Sequence, residues 1–382
     1  MRVVKRAPER AGEPDVALVD DSGAVVSEVS AFLRSLAARD YSPNTIRAYA
    51  YDLMKLLQFL DDRGAGLGDF SPVLATEFLA WLRAQSSTGR AQRNQLGLVS
   101  SQGRRLSART CNRVLAAVSS FYEFVISCGG YTSVENPILR ETDQASARVL
   151  GRHRPALVTS VDQRPVRRIL RVRTVETLPR PIPDEIYLAL LAQLERLRDR
   201  ALLELMHEGG LRPGEVLGLH LEDLSYGRKR VTVRHRTDHP QGARQKSRRD
   251  RVVDLLEDRA LPTLNRYVLL ERPQDVESPL VFLIGGRGPR RGQALSYDGL
   301  VRMFQRAATR AGVRDAWLTP HSLRHTHATR MSELGMRELT LQRRLGHAHP
   351  DSTQVYIRVT DHQVRDEYRA ALEQVPTGCL EA

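Results

Sequence analysis

The sequence predicts a mainly α-helical protein with a small antiparallel β-sheet, divided into two domains. Three observations point there. Between residues 25 and 130, apolar residues recur at helical spacing in four separate stretches, without a convincing strand among them. Between 131 and 180 that period gives way to irregular, basic sequence. Beyond 180 helical patterns return, interrupted by two alternating segments joined by a long polar turn.

Residues 1–24 are polar and charged and read as a flexible tail. "VSEVSAFLRSLAAR" then sets Val29, Phe32, Leu33 and Leu36 on one helical face. "YSPNTIRAYAYDLMKLLQFLDDRG" opens with Ser42 as N-cap and Pro43 at the first helical position, and stops at Gly64. "FSPVLATEFLAWLRAQ" repeats that opening at Ser71 and Pro72. "LSARTCNRVLAAVSSFYEFVISCGG" starts at Ser107 and ends on Gly129 and Gly130. Together they make a small helical domain over 25–130. Residues 131–180 read as a basic interdomain linker. Arg148, Arg152, Arg154, Arg164, Arg167, Arg168, Arg171 and Arg173 face one acid in their span, Asp162. Pro179, Pro181 and Pro183 stiffen its end. A solvated linker needs no such excess of Arg, so the composition favours a linker lying on a polyanion.

The second domain covers 181–376, with a tail at 377–382. "PDEIYLALLAQLERLRDRALLELMHEGG" is helical. "KRVTVRHR" and "SRRDRVVDL" alternate as two antiparallel strands. "YDGLVRMFQRAATRAG", "PHSLRHTHATRMSELG" and "DHQVRDEYRAALEQV" are helical. "GGRGPRRG" at 285–292 lacks the strand-to-helix context of a nucleotide loop and reads as a turn.

Composition narrows the partners. The formal net charge is +13, which calls for a polyanion: nucleic acid first, an anionic membrane surface second. No apolar run approaches a membrane span, and "MRVVKRAPERAGEPD" has no apolar signal-peptide core. Cys111, Cys128 and Cys379 form no C-x-x-C pair, so neither a zinc cluster nor a disulfide framework is expected. The expectation is a basic, soluble protein of a reducing cytosol, without a cofactor.

The densest chemistry lies in "TPHSLRHTHATR". His321 and His325 stand four apart, the spacing at which a helix offers two ligands to one metal. Arg324 lies between them, a poor neighbour for a metal ion. His321 and Arg324, three apart, share a helical face. Upstream, "GGLRPGEVLGL" places Arg212 at a helix start, where backbone N–H groups and a guanidinium together suit an oxyanion. Glu215 can orient that Arg; a surface Arg with a capping Glu is the plainer reading. Lys246 in "ARQKSRRDRVVDL" is one base among several, beside Arg244, Arg248 and Arg249. His347 follows a Gly in "LGHAHPDSTQVYIRV", and Tyr356 sits in "VYI", the usual setting of a half-buried core tyrosine. His325, His327 and His349 read as packing or solvent-facing residues.

"GLRPGEVLGL", "HSLRH" and "LGHAHPDSTQVYIRV", in that order and spacing, resemble the tyrosine recombinase (phage integrase) family. The stretch from Lys246 to "R-V-V-x-L" resembles the family's hairpin lysine, and "YSPNTIRAYAYDLMKLLQFL" resembles the first long helix of its core-binding, SAM-like domain. The resemblance covers about residues 26–130 and 180–375. It implies a helical core-binding domain followed by a recombinase catalytic domain. It also implies a metal-free active site of Arg212, Lys246, His321, Arg324, His347 and Tyr356. There Tyr356 would attack the phosphodiester, His321 would take its proton, and Lys246 would protonate the leaving 5′ oxygen. Arg212, Arg324 and His347 would stabilise the phosphate oxygens, with Glu215 in support. Arg148, Arg152, Arg167, Arg168, Arg171, Arg248 and Arg249 are the candidate DNA contacts. The implied partners are duplex DNA at specific sites, a homo-tetramer on that DNA, and companion recombinases or DNA-bending accessory proteins at the nucleoid. The C-terminal helix, capped by Asp361 and carrying Val364, Tyr368, Leu372 and Val375, would dock on a neighbouring protomer. Integration or transposition of a mobile element is the favoured role, with chromosome-dimer resolution or a catalytically silent DNA-binding regulator as alternatives.

Overall fold

The computed structural model describes residues 1–6, 13–86, 105–131, 133–142, 166–174, 180–236, 238–242 and 250–346. Two compact units result, Met1–Glu176 and Thr177–Ala382.

Among its described residues the first unit has four α-helices and two short strand pairs. Strand β1 (Arg2–Lys5) pairs antiparallel with β2 (Val16–Val19). Residues 2–5 and 16–19, which the sequence reading places in a tail, are therefore paired strands. "VALV" is buried along its whole length, Leu18 completely, and joins the core of the helices. The turn at Asp20–Gly23 folds the chain back so that Val25 bridges Val19. The helices follow as α1 (Ser27–Ala38), α2 (Pro43–Asp61), α3 (Pro72–Ala84) and α4 (Ala108–Ser127). The serines that open three of them act as N-caps. Ser42, Ser71 and Ser107 accept from the N–H of Thr45, Leu74 and Thr110 at 3.1, 3.3 and 3.2 Å. Each cap satisfies a donor the helix cannot, a contribution of about 1 kcal/mol. Aromatic rings fill the centre, with Phe70 stacked on Tyr122 and Phe32 edge-on to Phe121.

Part of the sequence read as linker belongs to this unit. β3 (Arg140–Thr142) pairs antiparallel with β4 (Val166–Arg168). Farther on, the Asn112 amide clamps the backbone of Val172 with two bonds of 2.8 Å. Leu170 and Val172 pack on the helical core. An amide that both donates to and accepts from one residue fixes an extended segment as a neighbouring strand would. Arg167 lies half-exposed and bonds Glu141 at 2.8 Å, and Arg171 is exposed. Arg148 and Arg152 lie outside the described residues.

The second unit packs helices around a three-stranded sheet. Its first expected helix is two, α5 (Asp184–Ala192) and α6 (Leu197–Glu208). The break at Gln193 is stabilised by Arg310, which bonds the freed Gln193 carbonyl at 2.7 Å. Helix α7 (Pro213–Leu217) follows. Strands β5 (Leu224–Ser225), β6 (Arg230–Val233) and β7 (Arg251–Asp254) then form an antiparallel sheet in that order. Val231 faces Val253 across the ladder, and both are buried. Helices α8 (Ala260–Leu270), α9 (Tyr297–Arg310), α10 (Pro320–Glu333) and α11 (Glu338–Leu345) follow among the described residues. Helix α6 is buried over nearly its whole length, packed against α8 and α10. It is the post from which the neighbouring elements hang. Among the described residues no helix is long and apolar enough to cross a membrane.

If the N-terminal strands are part of the core, Leu18→Ala lowers the stability of the first unit by about 2–5 kcal/mol. Urea unfolding followed by tryptophan fluorescence reads this through Trp81. An unchanged midpoint would return residues 16–19 to the tail.

Candidate active site

The site is built where α6 ends. Its C-cap Gly209 leads into Gly210, whose φ of +62° is the left-handed conformation that favours glycine. Space demands glycine as well. A Cβ on Gly210 would stand 2.5 Å from Cδ2 of His327 and 3.0 Å from Cδ2 of Leu345. The chain thus passes closely between α10 and α11 before Pro213 starts α7. Arg212 becomes the N-cap residue of α7, and Glu215 occupies its first turn. Glu215 Oε2 accepts the Arg212 backbone N–H at 2.8 Å.

The Glu215 carboxylate is fully buried and gathers three guanidiniums. Arg212 Nη1 donates to Oε1 at 2.7 Å. Arg251, the first residue of β7, donates to Oε1 at 3.0 Å and to Oε2 at 2.7 Å. Arg324, on α10, brings Nη1 to 3.7 Å from Oε2. The rest of the donor capacity goes to helix ends. Arg324 donates to the carbonyls of Gly210 and Leu345, both at 2.7 Å. Arg212 reaches Leu345 O at 3.4 Å, and Arg251 Nε bonds Arg344 O at 2.9 Å. These carbonyls belong to the last turn of α11 and to the residues just past α6. They have no partner within their own helices, and they carry the negative end of each helix dipole.

Charge follows from this arrangement. Burial alone would push the Glu215 carboxyl up. The hydrogen bonds and charge of Arg251, with Arg324 and Arg212 behind them, overcome it and hold the group at about 2. Three guanidiniums then face this one carboxylate among the described residues. Arg212 is the most open of them at 17% exposed, against 8% for Arg251 and 1% for Arg324. The cluster retains an excess of positive charge toward Arg212, which suits an anion.

His321 lies in the first turn of α10, exposed to solvent. That turn is set by Thr319 and Ser322. The Thr319 N–H donates to Ser322 Oγ at 3.2 Å, and the same hydroxyl donates to Trp317 O at 2.7 Å. The His321 ring meets His325 edge to face, with centroids 4.8 Å apart. Burial, and after it the charge of Arg324, holds His325 down at about 4, so it is a neutral support at ordinary pH. Among the described residues no three His, Cys, Asp or Glu side chains gather as a metal site would require.

Of the residues singled out in the sequence, Arg212, Glu215 and Arg324 come together here, and His321 stands one helical turn from Arg324. Lys246, Arg248, Arg249, His347 and Tyr356 lie outside the described residues. The sequence alone pairs Glu215 only with Arg212 and points to no role for Arg251 in the site. In the structure Arg251 is the strongest partner of Glu215. The available signal was a basic residue opening an alternating strand, but its partner lies far away in the chain.

Comparison with known proteins follows the same division. A model of the phage integrase family matches residues 182–363, and a model of its N-terminal SAM-like domain matches 29–129. Transposase A from transposon Tn554 of Staphylococcus aureus is 28% identical over 376 residues, 98% of this chain and 99% of the relative. Tyrosine recombinase XerD of Rhizobium meliloti is 27% identical over 351 residues, 88% and 92% of the two chains. Among solved structures, the Tn1549 transposon integrase in complex with a circular intermediate DNA has the same fold. It aligns with a TM-score of 0.61 at 16% identity, covering 90% of this chain and 99% of that one.

The low position of Glu215 sets an acid limit. Its folded value lies below the ordinary 4.5, so its contribution to stability is complete above about pH 4.5 and is lost as pH falls toward 2. Glu215→Gln leaves buried guanidiniums without their counter-charge and costs about 3–5 kcal/mol at pH 7. Urea midpoints from pH 7 to pH 2 are expected to converge for wild type and variant as the pH falls. Parallel curves would mean that the carboxylate does not hold the cluster.

Proposed function

The chain belongs to the phage integrase family of tyrosine recombinases, and we propose that it uses the Glu215-anchored arginines to cleave and rejoin DNA at specific sites of a mobile element. The observation that carries this reading is the cluster itself: Arg212, Arg251 and Arg324 around one buried carboxylate, with excess positive charge at the open end.

A phosphodiester under attack gains charge on its non-bridging oxygens. Guanidiniums held in place beforehand lower that barrier without reorganising, the service a metal gives in other enzymes. Arg suits the task because it stays charged and can bind two oxygens at once. In the proposed reaction Tyr356 Oη forms a bond to phosphorus as the bond to the 5′ oxygen breaks. His321 takes the phenol proton, Lys246 supplies a proton to the 5′ oxygen, and His347 bonds a phosphate oxygen. The product is a 3′-phosphotyrosyl link and a free 5′ hydroxyl. Attack by a 5′ hydroxyl from another strand reverses the step, so no energy source is consumed. The near-complete mutual coverage with the Tn554 transposase supports transposition, integration or excision over dimer resolution. The reading extends to a tetramer on two paired sites, to companion or DNA-bending proteins, and to the cytoplasm as the place of action.

Tyr356→Phe is expected to keep DNA affinity and to lose all covalent adduct on a nicked duplex carrying the recombination site. Adducts at the wild-type level on denaturing gels would remove Tyr356 as nucleophile. Chelator is expected to leave wild-type cleavage unchanged, and loss restored by zinc would revive the histidine metal site.

Arg167, Arg168 and Arg171 are proposed to touch phosphates rather than bases. Neutralising them is expected to weaken binding to all duplexes alike. It should also flatten the slope of log affinity against log salt by about 0.9 per lost contact. An unaltered slope would place these residues away from DNA.

A further inference from the structure

We propose that Arg344, seated on His327, is a positioning residue for strand cleavage: it fixes the carboxyl end of α11, whose last carbonyls orient Arg212, Arg251 and Arg324. The proposal rests on the reading of this site as the cleavage centre.

Arg344 points away from the Glu215 cluster and into the body of the unit. Its Nε donates to His327 Nε2 at 3.0 Å. Its Nη2 donates to Glu208 O at 3.2 Å and to Asp254 O at 3.0 Å. The three acceptors stand on α10, at the end of α6 and at the end of β7. Those same elements carry Arg324, lead into Arg212, and carry Arg251. One side chain therefore ties α11 to the two elements that carry Arg324 and Arg251 and to the helix that leads into Arg212. The backbone at this end of α11 closes the link, since Arg344 O receives Arg251 and Leu345 O receives both Arg324 and Arg212.

The geometry also fixes the state of His327. Arg344 has only N–H groups to give, so Nε2 of His327 must be the unprotonated nitrogen. The ring proton then sits on Nδ1, where it reaches His207 O at 3.0 Å. A protonated ring would set N–H against N–H and cation against cation. Burial, followed by the Arg344 charge, holds His327 down at about 3, in keeping with that arrangement. The chain at Gly210 runs against the Cδ2 edge of the ring, where even a Cβ would stand only 2.5 Å away. A bare apolar helix end could pack here as tightly. It would not fix the rotation of the α11 carbonyls, and a guanidinium bound at three points does.

A merely structural Arg344 would lose stability and activity together when replaced. A positioning Arg344 loses the cleavage rate first. The test uses the full chain with Arg344→Gln and Arg344→Lys, on a nicked duplex built from the sequence flanking its gene. It measures the single-turnover rate of adduct formation, duplex affinity and thermal melting. Arg344→Gln is expected to slow adduct formation by about tenfold to a hundredfold, the scale of a misplaced catalytic group. Duplex affinity should stay within about twofold, and the protein should remain folded at the assay temperature. Arg344→Lys, which keeps the charge and the reach to the two carbonyls, should recover part of the rate. Nitrogen-15 histidine spectra should show the Nδ1–H form at His327 in the wild type and its loss in Arg344→Gln. A wild-type protein that forms no adduct overturns the reading of the site and this proposal with it. An active wild type matched by an equally fast Arg344→Gln overturns this proposal alone, as does a rate loss that only follows loss of folding or of DNA binding.

Discussion

Among the described residues of the second unit, the arginines of the candidate site gather on one buried carboxylate. Three guanidiniums cannot share a small volume unless something draws them together, and Glu215 does so from the first turn of a helix only five residues long. The cost of burying a carboxylate is offset because Arg251 meets both of its oxygens, and two further charges lie beyond. The carboxylate alone would not place the arginines, because it fixes their charge and not their direction. Direction comes from the open carbonyls at the ends of α6 and α11, which receive the remaining N–H groups.

This division of labour explains the order of the sequence. Gly210 lets the chain turn tightly past His327 and Leu345, and Gly209 before it has no room for a side chain beside Leu211 and Leu255, leaving Arg212 and Glu215 at the start of the next helix. The sheet is small, yet β7 delivers Arg251 to the carboxylate. Helix α10 contributes Arg324 from its buried side and His321 from its exposed first turn, which lets one helix supply both a clamp and a candidate base. A site preorganised in this way meets charge that develops during the reaction with groups already in position.

Local signals were legible in the sequence and long-range ones were not. The serine caps at Ser42, Ser71 and Ser107 are decided within three residues and stand as read. Arg212 and Glu215, also three apart, are paired, though with Glu215 buried where a surface pair is the plainer reading of the sequence. The bond from Arg251 to Glu215 spans 36 residues and that from Arg344 to His327 spans 17, distances over which periodicity says nothing. Nothing in the sequence around Arg344 singles it out, and His327 reads only as a packing or solvent-facing residue. The strand at Val16–Val19 was overlooked for a different reason. Its apolar run is short and surrounded by charge, and only the turn at "DDSG" hinted that the chain doubled back. The pairing of β3 with β4 was hidden because the excess of arginine suggested a linker before any alternation could be seen.

The central claim is that the arginines held by Glu215 serve charge on the non-bridging oxygens of a phosphodiester. A substrate whose scissile phosphate is replaced by a methylphosphonate removes one of those charges while keeping the bond to be broken. Cleavage rates of wild type and Arg324→Ala on both substrates form a cycle between the residue and the oxygen. If the claim is right, the roughly hundredfold loss expected of Arg324→Ala on the natural phosphate shrinks to about tenfold or less on the methylphosphonate. An equal loss on both substrates would show that Arg324 supports the fold of the site and does not act on the phosphate.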